Sequence, residues 1–450
     1  MVFVRKFEQF LFYFLLFAIP FQTRKILWHQ NWNFNEWQSI SIYGTDILLL
    51  ILFGFWIFDL INPKIEPPVD NRLRKSVIHR FVKRHDYFLF VLIVVSAISI
   101  KNSSSYILST YSVLKLVEFV VFYFYIKSYA VYKFGLIRSM IVLIYGGLFQ
   151  AIIAILQFFK QSSLGLGLLG ESVISPNLTG IASFYNMAGE KIIRTYGTTP
   201  HPNVLAGYLF LAIFAFYYLW IYKNISKFFL LMYGLIILAF FFTFARVAVF
   251  LLFINFLVRI ILVHLKFKKE YWNKKLALLS VVTVVVATSL FLIYWSETVS
   301  RVMISSKEEA VQMRIFYNKE SLSSLNWFGV GSGNFVNWLM VKDPNLPRNL
   351  YQPVHNIYLL VYSETGILGI SAFLMFLLFL IKDFVLRTRM KNLYNYSFLL
   401  IFLSVLFMGL FDHFLLTLQQ GRFIFWLTVM LLTINRKDDI MIKQQSEPTA

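Results

Sequence analysis

His355 stands between Pro353-Val354 and Asn356, where a polar stretch gives way to the apolar run IYLLVYSETGILG. Proline stops any helix before it, so the imidazole falls at the start of the next one. The positive end of a helix disfavours imidazolium and keeps such a ring neutral. A neutral imidazole at a membrane surface has the chemistry of a general base for a sugar hydroxyl. The bland reading is a histidine that only caps its helix. Arg246 is the single interior charge in the 31 residues Phe228–Val258. A guanidinium so placed either clamps a phosphate through its fork or snorkels to lipid headgroups.

Two further stretches carry polar chemistry. In Arg194-Thr-Tyr-Gly-Thr-Thr-Pro-His201-Pro-Asn203 the prolines suit a helix start. Exposed amides there, together with Arg194, make a phosphate site; the alternative is a rigid loop leading into a helix. Gln312-Met-Arg314 precedes the glycine-rich Asn326-Trp-Phe-Gly-Val-Gly-Ser-Gly-Asn-Phe335. That piece has no preceding strand and no Lys-Ser/Thr ending, so it reads as a tight turn and not as a nucleotide loop. Lys115 and Glu118, three residues apart, neutralise each other on one helix face. Asp412-His413 and Gln420-Gly421-Arg422 flank a final outer turn, and Glu364 is given no chemistry. No His, Asp and Glu cluster has metal-ligand spacing, and no metal or cofactor is expected. The absence of Cys excludes disulfides, thiolate metal sites and a Cys nucleophile.

The elements that must hold these residues follow from composition. Of 450 residues 58% are hydrophobic, 14% charged and 19% aromatic, with 50 Phe and a mean hydropathy of +0.67. No soluble core buries so much apolar surface, which leaves an all-α polytopic integral membrane protein. Apolar runs predict about twelve transmembrane helices with both termini on one side. Met1–Thr23 lacks a cleavage site and is read as the first span. The expected organisation is helices 1–5 over 1–159, an external loop 160–203 and helices 6–9 over 204–295. A large external loop 296–354, helices 10–12 over 355–434 and a cytoplasmic tail 435–450 complete it. Phe228–Val258 is read as two passes with Arg246 at their outer turn, since one helix of that length is about 46 Å long against a core of about 30 Å.

The net charge of +20 fits this orientation. With the N-terminus inside, 27 of the 42 Lys and Arg fall inside and 13 outside, while Lys115 and Arg422 lie within spans. Cations gather on the cytoplasmic side of such proteins, so nucleic acid is not an expected partner.

His355-Asn356, nine residues, Gly366, two residues and Gly369 resemble the His-[Asn/Ser/Gln]-x9-Gly-x2-[Gly/Thr/Tyr] pattern of bacterial O-antigen ligases. RTYGTTPHPNVLAG, Phe-Ala-Arg246 and FGVGSGNF are similar to the O-antigen ligase and polymerase superfamily, over roughly Arg194 to Ile434. The resemblance implies a GT-C-like fold in the inner membrane. It implies a metal-independent, inverting glycosyltransferase that takes a glycan from undecaprenyl pyrophosphate at the periplasmic face. The implied acceptor is a hydroxyl of a glycolipid, a growing polysaccharide or a protein, among membrane lipids. The family's catalytic histidine falls on His355. Its phosphate-binding arginines fall on Arg246 and Arg314, with Arg194 in a further motif and Asn356, His201 and Asn203 in support. Ala245 stands where the family often has Ser.

The competing class is a transporter of lipid-linked glycans, a flippase or exporter. It predicts polar groups at mid-membrane in paired halves. Here the polar groups collect at the outer rim and no internal repeat is visible.

Overall fold

Long apolar runs without internal proline leave the backbone one way to satisfy its own hydrogen bonds inside a bilayer, and each run forms a helix. The computed structural model describes residues 2–30, 34–62, 82–222, 228–267, 274–303 and 308–434. The expected tail 435–450 and most of the cations between Lys64 and Arg84 lie outside these residues.

Helix α1 is Val2–Ala18. A short hairpin, β1 (Arg24–His29) with β2 (Ser39–Tyr43), leads into α2 (Gly44–Ile61). Next come α3 (Arg84–Ser99), α4 (Tyr106–Phe134, with a π-helical stretch at Ile126–Ala130) and α5 (Leu136–Lys160). The segment after α5 carries a second hairpin, β3 (Ser183–Tyr185) with β4 (Lys191–Ile193). Then follow α6 (Pro202–Tyr222), α7 (Phe228–Phe242), α8 (Arg246–Leu265) and α9 (Lys274–Ile293). Three shorter helices, α10 (Trp295–Val302), α11 (Glu309–Ser323) and α12 (Phe335–Lys342), lie in the segment between α9 and the next long helix. The chain closes with α13 (Ile357–Thr388), α14 (Leu393–Met408), α15 (Phe414–Thr417) and α16 (Gln419–Leu431).

Among the described residues seven helices are long and apolar enough to cross a bilayer, and eight if α9 and α10, bent by 98°, count as one broken span. Twelve such helices were expected. The difference lies in α1, α7, α14 and α16, which have 17, 15, 16 and 13 residues. At 1.5 Å per residue these reach roughly 20–26 Å, short of a core of about 30 Å. The all-α membrane architecture stands; helix length by itself supports seven or eight crossings.

Helix α6 is the centre of the bundle, with 89% of its span window buried, whereas the other spans bury 33–44% of theirs. Their outward faces carry Leu50, Phe90, Phe250, Leu257 and Leu378, large apolar groups suited to lipid. Lys115 sits in the bundle between two carboxylates, 2.9 Å from Glu118 and 2.6 Å from Asp46. The i,i+3 pairing therefore holds, with a second acid from α2 that the spacing did not reveal. A smaller core of Tyr317, Phe335, Val336, Leu339, Tyr351 and Val354 joins the α11–α12 segment to Leu360 of α13.

Candidate active site

Helix α13 begins at Ile357, two residues later than expected. Asn356, not His355, is its N-cap: Oδ1 accepts hydrogen bonds from the amides of Tyr358 (2.9 Å) and Leu359 (3.2 Å). The capping reading of His355 thus gives way, because the neighbouring side chain fills that role. The imidazole Nδ1 lies 3.1 Å from the carbonyl oxygen of Pro353. A carbonyl only accepts, so Nδ1 carries the proton and Nε2 keeps its lone pair. One face of the ring stacks on Tyr317 and an edge contact reaches His413, with ring centres 5.3 Å and 4.9 Å away. Burial lowers the pKa of His355, aided by the Arg314 charge and opposed by Asp412. The ring is neutral at pH 7, though burial and not the helix dipole is the main cause.

Asp412 is the hub of the surrounding groups. Its Oδ2 accepts from Asn203 Nδ2 at 2.6 Å and its Oδ1 from the amide of His413 at 2.8 Å. Burial opposes its charge, yet His413, His355, His201 and the Asn203 bond hold the carboxyl well below the usual range. Burial pushes His413 and His201 down to about 3. His413 Nδ1 meets Thr417 Oγ1 at 2.7 Å, and Trp37 packs edge-on against the ring at 4.9 Å. His201 Nδ1 accepts from the amide of Asn203 at 3.2 Å.

Asn203 also accepts from Arg194 Nη2 at 2.5 Å, and Arg194 Nε donates to the Thr243 carbonyl at 2.7 Å. Arg194 is buried, and burial with the nearby Arg301 pushes it down to about 9, so it stays cationic at neutral pH. Its donors serve the protein's own frame, which was not foreseen. The turn between α7 and α8 has neither Gly nor Pro. Phe244 takes a left-handed φ of 46°, and its carbonyl accepts from Arg301 Nε at 3.3 Å. Two arginines thus satisfy carbonyls released where the helix ends. Arg246 opens α8 beyond this turn, paired with Glu308. Arg314 on α11 donates through Nε to the Phe411 carbonyl at 3.1 Å, next to Asp412. Tyr317 lies one turn further along α11, so a single helix carries both Arg314 and the ring beneath His355.

The glycine-rich turn fixes α13 from outside. Gly366 has φ 72°, non-helical inside α13, and Gly329 has φ 70° in the turn. A Cβ on either would run into backbone of the other segment. The amides of Val330 and Gly331 donate to the carbonyls of Ser363 and Glu364 at 2.9 and 3.0 Å. Ile367 N donates back to Asn326 O at 3.1 Å. Glu364, left without a role by its position in sequence, accepts from the Gly333 amide at 2.8 Å. A cavity of about 190 Å³ opens beside the site, with Trp37, Tyr111, Pro353, Thr417 and Arg422 on its wall and Phe373, Phe376 and Trp426 on its apolar floor.

The structure thus gathers Arg194, His201, Asn203, Arg314, His355 and Asp412 around one point at one end of the bundle, with Arg246 joined through Arg301 and the α7–α8 turn. Tyr317, Trp37, Arg301 and Glu308 belong to the same surroundings and were not foreseen. Among the described residues no group of three or more His, Asp or Glu is arranged to hold a metal ion.

Helices with lipid-facing apolar surfaces and a polar site at one end define a multi-pass, all-α membrane protein. Residues 231–374 match the O-antigen ligase family model, which supports membership of the O-antigen ligase superfamily and a membrane glycan-transferring class. The matched stretch holds Arg246, Arg314, His355 and Gly366; Arg194, His201, Asn203 and Asp412 lie outside it. No curated relative matches the chain.

Proposed function

We propose that the protein is a membrane glycosyltransferase of the O-antigen ligase type. It moves a glycan from undecaprenyl pyrophosphate to a hydroxyl of a lipid, a polysaccharide or a protein at the outer face of the plasma membrane. The short helices cross together with the long ones, both termini are cytoplasmic, and 160–203 and 296–354 are external. The reading is carried by one observation: His355, protonated on Nδ1 and bare on Nε2, shares its surroundings with Arg314 and Asp412.

The chemistry follows from those groups. The Nε2 lone pair of His355 takes the proton of the attacking hydroxyl as its oxygen bonds to the anomeric carbon. The bond to the pyrophosphate breaks on the opposite face, which inverts the centre. The leaving group gains negative charge and needs fixed cations, not an acid. Arg246 and Arg314 supply these, Arg194 adds its field from behind, and no divalent ion is required. The imidazolium then formed is stabilised by the π face of Tyr317 and by Asp412. His201 and Asn203 orient Asp412, and Asn356 holds the helix on which His355 is mounted. The apolar floor of the adjoining cavity favours an amphiphilic acceptor. The polar groups at the outer rim favour a transferase over the transporter alternative.

The test is single-turnover transfer at saturating donor in the wild-type chain and His355→Ala. Equal rates would remove His355 from the chemistry; failure of the wild-type chain to transfer sugar from any lipid pyrophosphate would overturn the whole reading.

A further inference from the structure

Arg246 Nη1 donates to both carboxylate oxygens of Glu308, at 2.9 and 2.8 Å. Arg301 Nη1 lies 3.4 Å from Oε1 of the same carboxylate. The two arginines are also joined through the backbone, since Arg246 Nε donates to the Arg301 carbonyl. The three side chains are only 17–25% exposed. Glu308 is the sole acid bonded to either guanidinium among the described residues, because Asp412 is engaged by Asn203 and the His413 amide. Four arginines, Arg194, Arg246, Arg301 and Arg314, face this region against two carboxylates, Glu308 and Asp412. The region thus carries more positive than negative charge with Glu308 in place. Carboxylate and phosphate present similar oxygen pairs to a guanidinium, so a site built for one accepts the other.

We infer that Arg301 is a further phosphate-binding residue beside Arg246, and that Glu308 competes with a phosphate of the donor for this pair of guanidinium groups. The inference rests on reading the site as one for a lipid pyrophosphate. Binding of the dianionic or more highly charged group breaks the Glu308 contacts and turns the carboxylate outward, where like charge keeps it away. Glu308 weakens affinity for any phosphate that the pair holds. It also favours pyrophosphate over singly charged anions, which displace a carboxylate poorly.

The experiment titrates inorganic pyrophosphate into the full chain in detergent, by calorimetry, for wild type, Glu308→Gln, Arg301→Gln and the double variant. Glu308→Gln should bind about tenfold more tightly and Arg301→Gln about tenfold more weakly, with the double variant near wild type. A purely structural Glu308 would give weaker or unchanged binding when replaced. Glu308→Ser also removes the charge and serves if the Gln variant does not fold. Pyrophosphate bound equally by wild type and both Glu308 variants would overturn the competition, and an unchanged Arg301→Gln would overturn the role of Arg301. If no chain, wild type included, binds pyrophosphate, the donor-site reading falls as well.

Discussion

The imidazole of His355 lies flat on the phenol ring of Tyr317, 5.3 Å between centres and 13° from parallel. The phenol is itself fixed, since its hydroxyl donates to the Leu350 carbonyl at 2.7 Å. An electron-rich face beneath the ring favours imidazolium over imidazole, and so favours proton transfer to His355. Tyr317→Leu keeps much of the apolar volume but loses the ring. We expect single-turnover transfer to fall about three- to tenfold with donor affinity unchanged, matching roughly 0.5–1.5 kcal/mol. An unchanged rate would reduce Tyr317 to packing.

His355→Ala should lower single-turnover transfer by about 10²–10⁴-fold. Asn356→Ala is a different kind of change, because Asn356 caps α13. It should cost on the order of 1 kcal/mol in thermal unfolding and have a milder effect on rate. A rate loss in Asn356→Ala as large as that of His355→Ala would give Asn356 a direct part in the chemistry.

The pH dependence has a defined sign. The pKa of folded His355 lies below its ordinary value, so the base form persists at neutral pH and transfer should fall only as pH drops below 6.5. The limb should be missing in His355→Ala. Stability follows the same direction. His201 and His413 bind protons in the unfolded chain near 6.5 but in the folded chain only near 3, so stability is full above 6.5 and is lost as pH falls from 6.5 towards 3. Melting curves between pH 4 and 8 would check this; a midpoint that rose on acidification would contradict it.

Arg246→Lys and Arg314→Lys keep the charge but lose the planar fork. Each should weaken transfer by about tenfold or more, seen in the donor concentration dependence. Activity should survive EDTA; loss restored by Mg²⁺ would refute the metal-free mechanism.

A Cys placed at Ser323, exposed on α11, should be labelled from outside in intact cells, with no native Cys to interfere. Labelling only after permeabilisation would reverse the orientation.

What was legible in the sequence depended on contrast. His355 and Arg246 stood out because polar groups are rare beside apolar runs, and the spacing from Asn356 to Gly366 is that between the N-cap and the kink of α13. The helices were legible for the same reason, but their lengths were not. The apolar run from Leu416 to Ile434 reads as one span, but the backbone is extended at Leu418, which leaves α16 only 13 residues. Glu308, Arg301 and Tyr317 lie in a polar stretch of sequence, where another charge or aromatic raises no signal. Only folding brings Glu308 to Arg246 across 62 positions. Asp412-His413 was visible as a weak pair, but its place as hub required knowing that Asn203, 209 residues earlier, meets it.

The α7–α8 turn has a bearing on how the chain is made. Its carbonyls at Thr243 and Phe244 are met by Arg194, synthesised 49 residues earlier, and by Arg301, synthesised 57 residues later. When this hairpin first leaves the translocon, Arg194 has already emerged and can close on it at once. In the proposed orientation, with the six cations between Arg259 and Lys275 inside, Arg301 reaches it only after α9 has been threaded back outward. Membrane insertion therefore leaves the turn half-closed for the time it takes the ribosome to add that segment. A slow or misdirected α9 should expose Phe244 and Arg246 to quality-control proteases before the rest of the site exists.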